Sequence, residues 1–266
     1  MVDRPNIDRY KEILNKRFRI NIDQKTKTHY DFTTTKLKKN IEESEIWQQI
    51  IKNWKDYNDS YYSQYDYNLF IDPDKPPEIC IKEYEKFFEK TYRKNILYKP
   101  DWEKEPDDAW ILPKNWYSKI NDIIRTTILV KYIDGVKFII DRIIGICENH
   151  GIHGIKPEYK ASEEGYYAVH IYVPFEYDIP DFRWRSRTQT VYFEIQITTQ
   201  LQEVMKKLLH NYYEKKRLKN IEDLKRIPEE QWNYKSEEFA PSYLGHILHY
   251  IEGMIMEIRE KQTKKP

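Results

Sequence analysis

Apolar positions recur at helical spacing at the start of the chain, where Ile7, Tyr10, Ile13, Leu14 and Phe18 predict a helix over Asn6 to Phe18. A polar connector follows from Asn21 to Thr35, and Ile46, Ile50 and Trp54 predict a second helix over Ile41 to Tyr57. Asn58 to Asn68 is rich in tyrosine and has no clear period. Asp72-Pro73-Asp74-Lys75-Pro76-Pro77 interrupts the pattern, because proline fixes its own backbone and lacks an amide donor. Prolines so placed suit a first helical turn, and Ile79, Tyr84, Phe87, Phe88 and Tyr92 carry a helix to about Tyr92. Pro100 to Pro113 is acidic, aromatic and proline-punctuated, and reads as a loop packed by Trp102 and Trp110.

From Lys119 to Ile133 the period changes. Ile123, Ile124, Thr126, Thr127, Ile128, Leu129 and Val130 form the β-branched, apolar run of a central strand. Asp134-Gly135 reads as a turn, and Val136 to Asn149 as a helix with Ile139, Ile140, Ile143, Ile144 and Cys147 on one stripe and Gly151 at its end. A strand over Ala168 to Pro174, a loop over Phe175 to Arg187 and a strand over Thr190 to Ile197 follow. Leu201, Val204, Met205, Leu208, Leu209 and Tyr212 mark a helix. Tyr243 to Glu260 is the last, with Ser242 as its N-cap and Leu244, Ile247, Leu248, Ile251, Met254, Ile255 and Ile258 as its apolar face. The order predicts an α+β fold, a small mixed sheet flanked by helices. Residues 1–80 would form a helical extension, 81–220 a core, and 221–266 a helical segment packed on it.

A chain of 266 residues can bury a proper hydrophobic core. Its two cysteines, Cys80 and Cys147, both fall in apolar helical patterns and read as buried thiols. They offer neither a disulfide framework nor zinc spacing, which suits a reducing compartment. No run approaches the ~18 apolar residues of a membrane span, and the first residues lack a signal-like pattern. The expectation is a cytoplasmic protein with no membrane partner. The 45 basic and 44 acidic residues leave a net charge of +1, so any case for nucleic acid rests on local patches.

Two carboxylates stand out. Asp122 lies where a helix-like segment enters a strand, and Glu194 lies among Val191, Phe193, Ile195 and Ile197. A carboxylate within such a strand is costly unless it is paired, metal-bound or at a cleft. Either Glu194 faces solvent and Asp122 caps, or the two share a site able to hold Mg²⁺. Gly165-Tyr166-Tyr167-Ala168-Val169-His170 offers a permissive backbone, a ring face for a base and an imidazole for phosphate or ribose. Lys86, Lys90, Arg93 and Lys94 recur at helical spacing, as a solvated face or as a phosphate grip. Lys206, Lys207, Lys215, Lys216 and Arg217 form the densest basic block, suited to an RNA backbone. There is no glycine-rich phosphate loop, nucleophile triad or paired-cysteine motif.

Taken together, Asp122-Ile-Ile-Arg125, Gly165-Tyr166-Tyr-Ala-Val-His170 and Glu194-Ile-Gln196-Ile197 resemble, in order and spacing, the RelA/SpoT alarmone synthetases over roughly Lys86 to Arg217. The resemblance implies a nucleotidyltransferase-like sheet and a small stand-alone synthetase that moves the β,γ-pyrophosphoryl group of ATP to a ribose 3′-hydroxyl. It implies that Asp122 holds Mg²⁺, that Glu194 assists the metal or activates the hydroxyl, and that Tyr166, His170 and Gln196 meet the acceptor. Lys86, Lys90, Arg93, Lys94 and Arg125 would grip the ATP phosphates. The common Asp-x-x-Gly-x-Arg and Glu-x-Gln-Ile-Arg-Thr patterns are altered here: Arg125 and Thr127 stand at the fourth and sixth places of the first, and Thr198 replaces arginine in the second. With the basic block, this tilts the expectation to the toxic subgroup, with tRNA 3′ ends as acceptor and an antitoxin protein as partner. The alternatives are a guanine-nucleotide pyrophosphokinase making (p)ppGpp-type alarmones and a catalytically silent RNA-binding module.

Overall fold

A computed structural model describes residues 4–99, 110–161, 165–181, 185–209, 234–235 and 239–263. Trp102, Glu163, Arg183, Lys215, Lys216 and Arg217 lie outside the described residues. Five strands form one mixed sheet: β1 (Cys80–Ile81), β2 (Ile124–Val130), β3 (Glu158–Ala161), β4 (Tyr167–Pro180) and β5 (Ser186–Thr199). Their order is β1-β2-β5-β4-β3. β2 and β5 run parallel, and every other pair is antiparallel. The parallel pair needs a long crossover, supplied by α7 (Ile133–Asn149) and the strands that follow it.

Register assigns the two faces. Ile124 pairs with Phe193, Ile128 with Ile197, Val169 with Ile197 and Val173 with Phe193. All are buried and share one core with Ile139, Ile140 and Ile143 of α7. Alternate residues of these strands point to the other face. There Arg125 pairs with Glu194, Tyr172 with Glu194, and His170 with Gln196.

The N-terminal third is more helical than its pattern predicts. The polar connector and the tyrosine-rich stretch are largely helix: α1 (Ile7–Phe18) is followed by α2 (Gln24–Glu42), α3 (Glu45–Lys52) and α4 (Trp54–Tyr65). Asp23 caps α2 and Ser44 caps α3, each accepting from a backbone amide three residues on. α2 hides its period because threonines fill its inner face: Thr26, Thr33 and Thr34 are buried, and Thr34 Oγ1 donates to the Tyr30 carbonyl. These helices share one core with the sheet, as Trp47 meeting Phe193 edge-on at 5.5 Å shows.

Elsewhere the corrections are local. The helix after the prolines begins later, as α5 (Tyr84–Tyr92), because Cys80 and Ile81 pair with β2; Cys80 is therefore an exposed strand residue and only Cys147 is buried. α5 continues into a wider π-helical turn, Arg93–Leu97. A short α6 (Trp116–Lys119) leads to β2. Asp134-Gly135 lies inside the first turn of α7 and does not break it. The loop over Phe175 to Arg187 is mostly strand, because β4 and β5 pair out to Pro180 and Ser186. β3, too polar to be read as a strand, pairs with β4 at the edge. α8 (Gln200–Leu208) is capped by Thr199, and α9 spans Phe239–Thr263, so Ser242 is within the helix.

Candidate active site

The polar face of the sheet carries two clusters. In the first, Glu194 is a buried carboxylate, 2 % exposed. His170 Nδ1 lies 2.9 Å from Oε1, and Gln196 Nε2 donates to Oε2 at 2.9 Å. β4 and β5 create this contact: register sets His170 beside Gln196, so its ring reaches the carboxylate one pleat along. Burial raises the Glu194 pKa, but the hydrogen bond and charge of His170 outweigh it, and the carboxyl is held below its ordinary range. Two tyrosines frame the imidazole: Tyr166 Oη is 3.4 Å from Nε2, and Tyr172 Oη is 3.4 Å from Nδ1. Burial and the adjacent Glu194 push the Tyr172 phenol well up.

The second cluster centres on Asp122. Lys90 Nζ lies 2.8 Å from its Oδ1 and Lys82 Nζ 3.0 Å from its Oδ2, with all three side chains largely buried. Burial opposes ionisation of Asp122, and the two ammonium groups overcome it and drive its pKa far down. Burial in turn lowers the pKa of Lys82. The clusters adjoin: the charge of Asp122 is felt at both Glu194 and Tyr172. Arg125 stands between them on the same face, paired in register with Glu194 and making no ion pair with a described residue.

The remaining lysine row does not act as one unit. Arg93 turns to Glu89 at 3.6 Å, Lys94 Nζ lies 3.5 Å from the Lys119 carbonyl, and Lys86 is exposed. Lys206 and Lys207 both reach Glu203 of their own helix, at 3.4 and 3.7 Å. Sequence reasoning passed over Lys82 and Tyr172. The pattern puts Lys82 inside a helix, whereas it directly follows the short edge strand β1, which brings it to Asp122. Tyr172 follows His170 at period two and was legible from that spacing. Thr198, where the resembled family has arginine, is buried and donates to the Tyr167 carbonyl at 2.9 Å.

Among the described residues no three metal-ligating side chains converge. Asp122 and Glu194 are the two carboxylates of these adjoining clusters, and Mg²⁺ is an ion held through one or two carboxylates plus substrate phosphates. No helix of the described residues is long and apolar enough to cross a membrane.

No protein-family model matches the chain, and no curated protein matches it. Solved structures do. The likeness is to small alarmone synthetases. Small alarmone synthetase 1 from Bacillus subtilis is 14 % identical over 97 % of this chain and 100 % of its own, with a TM-score of 0.49. Synthetase 2 from the same organism is 15 % identical over 88 % and 97 %, at 0.45. A GTP pyrophosphokinase family protein from Streptococcus pneumoniae is 16 % identical over 97 % and 98 %, at 0.46. At these identities and scores the likeness decides nothing about chemistry, which has to be read from the side chains.

Proposed function

We propose that this chain is an ATP-dependent pyrophosphokinase that transfers the β,γ-pyrophosphoryl group to a ribose 3′-hydroxyl, with the 3′ end of tRNA as the favoured acceptor and growth inhibition, relieved by an antitoxin protein, as its role. The observation that carries the reading is the buried, ionised Glu194, held by His170, beside an Asp122 bracketed by two lysines. In the reaction the acceptor oxygen bonds to the β-phosphorus of ATP. The bond from that phosphorus to the α,β-bridging oxygen breaks, AMP leaves, and the hydroxyl proton passes to Glu194. A transfer of this kind needs alignment and cations more than a covalent nucleophile, and the site supplies both.

Gln196 and His170 orient Glu194 towards the acceptor, and Tyr166 offers its ring to the acceptor base. Lys82 and Lys90, already at the site, grip the triphosphate, and Lys86, Arg93 and Lys94 join them only by leaving the contacts they make here. Asp122 and Glu194 would hold Mg²⁺, whose charge offsets that of the phosphate oxygens. Thr198 supports the tRNA reading, since the position offers no cation to the phosphates of a guanine nucleotide. Arg125 supports the second reading, in which GTP or GDP is the acceptor, because it provides a cation on the same face.

The test is incubation of γ-³²P-labelled ATP with tRNA and, separately, with GTP. Label on tRNA is expected. Label on GTP alone would remove the tRNA preference, and label on neither, with salt-sensitive tRNA binding, would leave an RNA-binding module.

A further inference from the structure

β4 is paired on both sides only over its first residues. β3 covers Tyr167 to His170, and beyond that point β4 has β5 on one side and no described strand on the other. In an antiparallel pair every second residue turns its N–H and C=O away from the partner. From Tyr172 to Pro180 those outward groups meet no backbone group of a described residue outside β5. Such an edge is a template for another strand. Pro174 and Pro180 lack an amide donor and bound the stretch, so Phe175 to Ile179 is the length left for pairing, that of an ordinary strand.

A groove of about 220 Å³ lies along this edge, with the Thr33, Lys36 and Leu37 face of α2 as one wall and residues 177–180 as the other. A groove over one face of a strand touches every second residue; touching four in succession, this one meets β4 at its edge. At Phe32, 53 % exposed, it adjoins a second groove of about 620 Å³ between the α1–α2 turn and the start of α2. His29, which meets the backbone of Pro180 and Asp181, holds α2 at this spacing from the strand. Charge points to the occupant. The carboxylates on the walls are engaged within the chain: Asp23 accepts from the Thr26 amide at 3.1 Å, and Asp178 from the Thr188 hydroxyl at 2.7 Å. Arg19, Lys25 and Lys36 are exposed and make no ion pair with a described residue. We infer that the groove between α2 and the free edge of β4 is the docking site for an acidic, extended segment of a partner protein, bound as an added strand. Its backbone pairs with residues 175–179, its carboxylates meet the three cations, and its alternate side chains enter the apolar floor at Leu37 and Ile179. A nucleic-acid strand would answer the cations but not the backbone donors and acceptors of the edge. No residue of the clusters around Glu194 and Asp122 lines either groove, and none of the transfer chemistry is needed for the docking.

The test is selection of a phage-displayed random peptide library on the full chain, followed by synthesis of the enriched peptides. These are expected to be acidic with alternating apolar residues and to slow amide exchange over residues 172–180. Their affinity, read by fluorescence anisotropy, should fall about tenfold or more for the doubly substituted Lys25→Glu, Lys36→Glu chain, whose circular dichroism should be unchanged. Methylating alternate peptide nitrogens should abolish binding in one register and spare it in the other, because an added strand pairs along one edge only. Enrichment of no peptide, enrichment of basic ones, protection elsewhere in the chain, or affinity indifferent to methylation in both registers overturns the proposal. A fluorescent oligouridylate that binds more tightly than any selected peptide, and is lost in the double variant, would make this an RNA groove and overturn it as well.

Discussion

Glu194 lies between Phe193 and Ile195, whose side chains pack into the core, while its own is buried on the opposite face and answered by His170 and Gln196. A carboxylate in that setting is costly unless each oxygen is paired, so the pairing marks a held group. Glu194→Gln keeps the shape and removes the charge. Transfer from labelled ATP should fall by about 10³-fold or more, in the range of proton-transfer and charge-stabilising residues, while thermal unfolding is little changed. Arg125→Ala should weaken acceptor or ATP binding, seen as a raised KM, because Arg125 makes no ion pair with a described residue that its loss would break. His29 bears on stability. Burial lowers its pKa from 6.5, so the unfolded chain takes up the proton first and stability falls as pH drops through that value. Urea midpoints measured from pH 7.5 to 5.5 should decline less steeply in His29→Gln than in the parent.

At the scale of elements, the Gly165 turn is the tightest point. Its φ is +76°, and a Cβ there would lie 2.7 Å from the Gly245 Cα of α9. Gly165→Ala therefore meets both a left-handed backbone and another backbone that cannot give way, a cost of about 1–3 kcal/mol. A denaturant midpoint lowered accordingly, with transfer also reduced because Tyr166 is displaced, is the expected result. The π-helical turn after α5 is a second such point, since single π turns interrupt the helical ladder and redirect the side chains that follow. Here Lys90 lies before it and reaches Asp122, while Lys94 lies within it and reaches the Lys119 carbonyl.

Over the whole molecule, Arg259 ties α9 to α7 through Asp134 and to α4 through the Tyr61 hydroxyl, 3.3 Å away, with the rings of Tyr67 and Tyr132 against its guanidinium. Arg259→Ala leaves Asp134 with the Tyr61 hydroxyl but no countercharge and should cost about 3 kcal/mol, read from chemical denaturation. Amide exchange over Leu244 to Ile258 should quicken with it, and if the protection of that stretch were unchanged, Arg259 would not be what docks the helix.

Much of this was legible in the chain. Local spacing determines the strand character of Ile124 to Val130 and the stripe of α7, because side-chain periodicity is a property of neighbours in sequence, whereas the link between the Gly-Tyr turn and the later Glu-x-Gln strand came from the resemblance. Local spacing also singles out Glu194, since a carboxylate inside an apolar strand is costly unless it is paired, metal-bound or at a cleft, but leaves open whether it faces solvent. Long-range packing decided the rest. α2 buries threonines that look polar in isolation, Lys82 reaches Asp122 because an edge strand forms before α5, and Thr198 turns inward to a carbonyl. α9 is the plainest case: its period announces an apolar face, yet only the ion pair at Asp134 and the hydrogen bonds from Thr199 and Gln202 determine which way that face looks, leaving Ile247, Ile251 and Ile258 exposed.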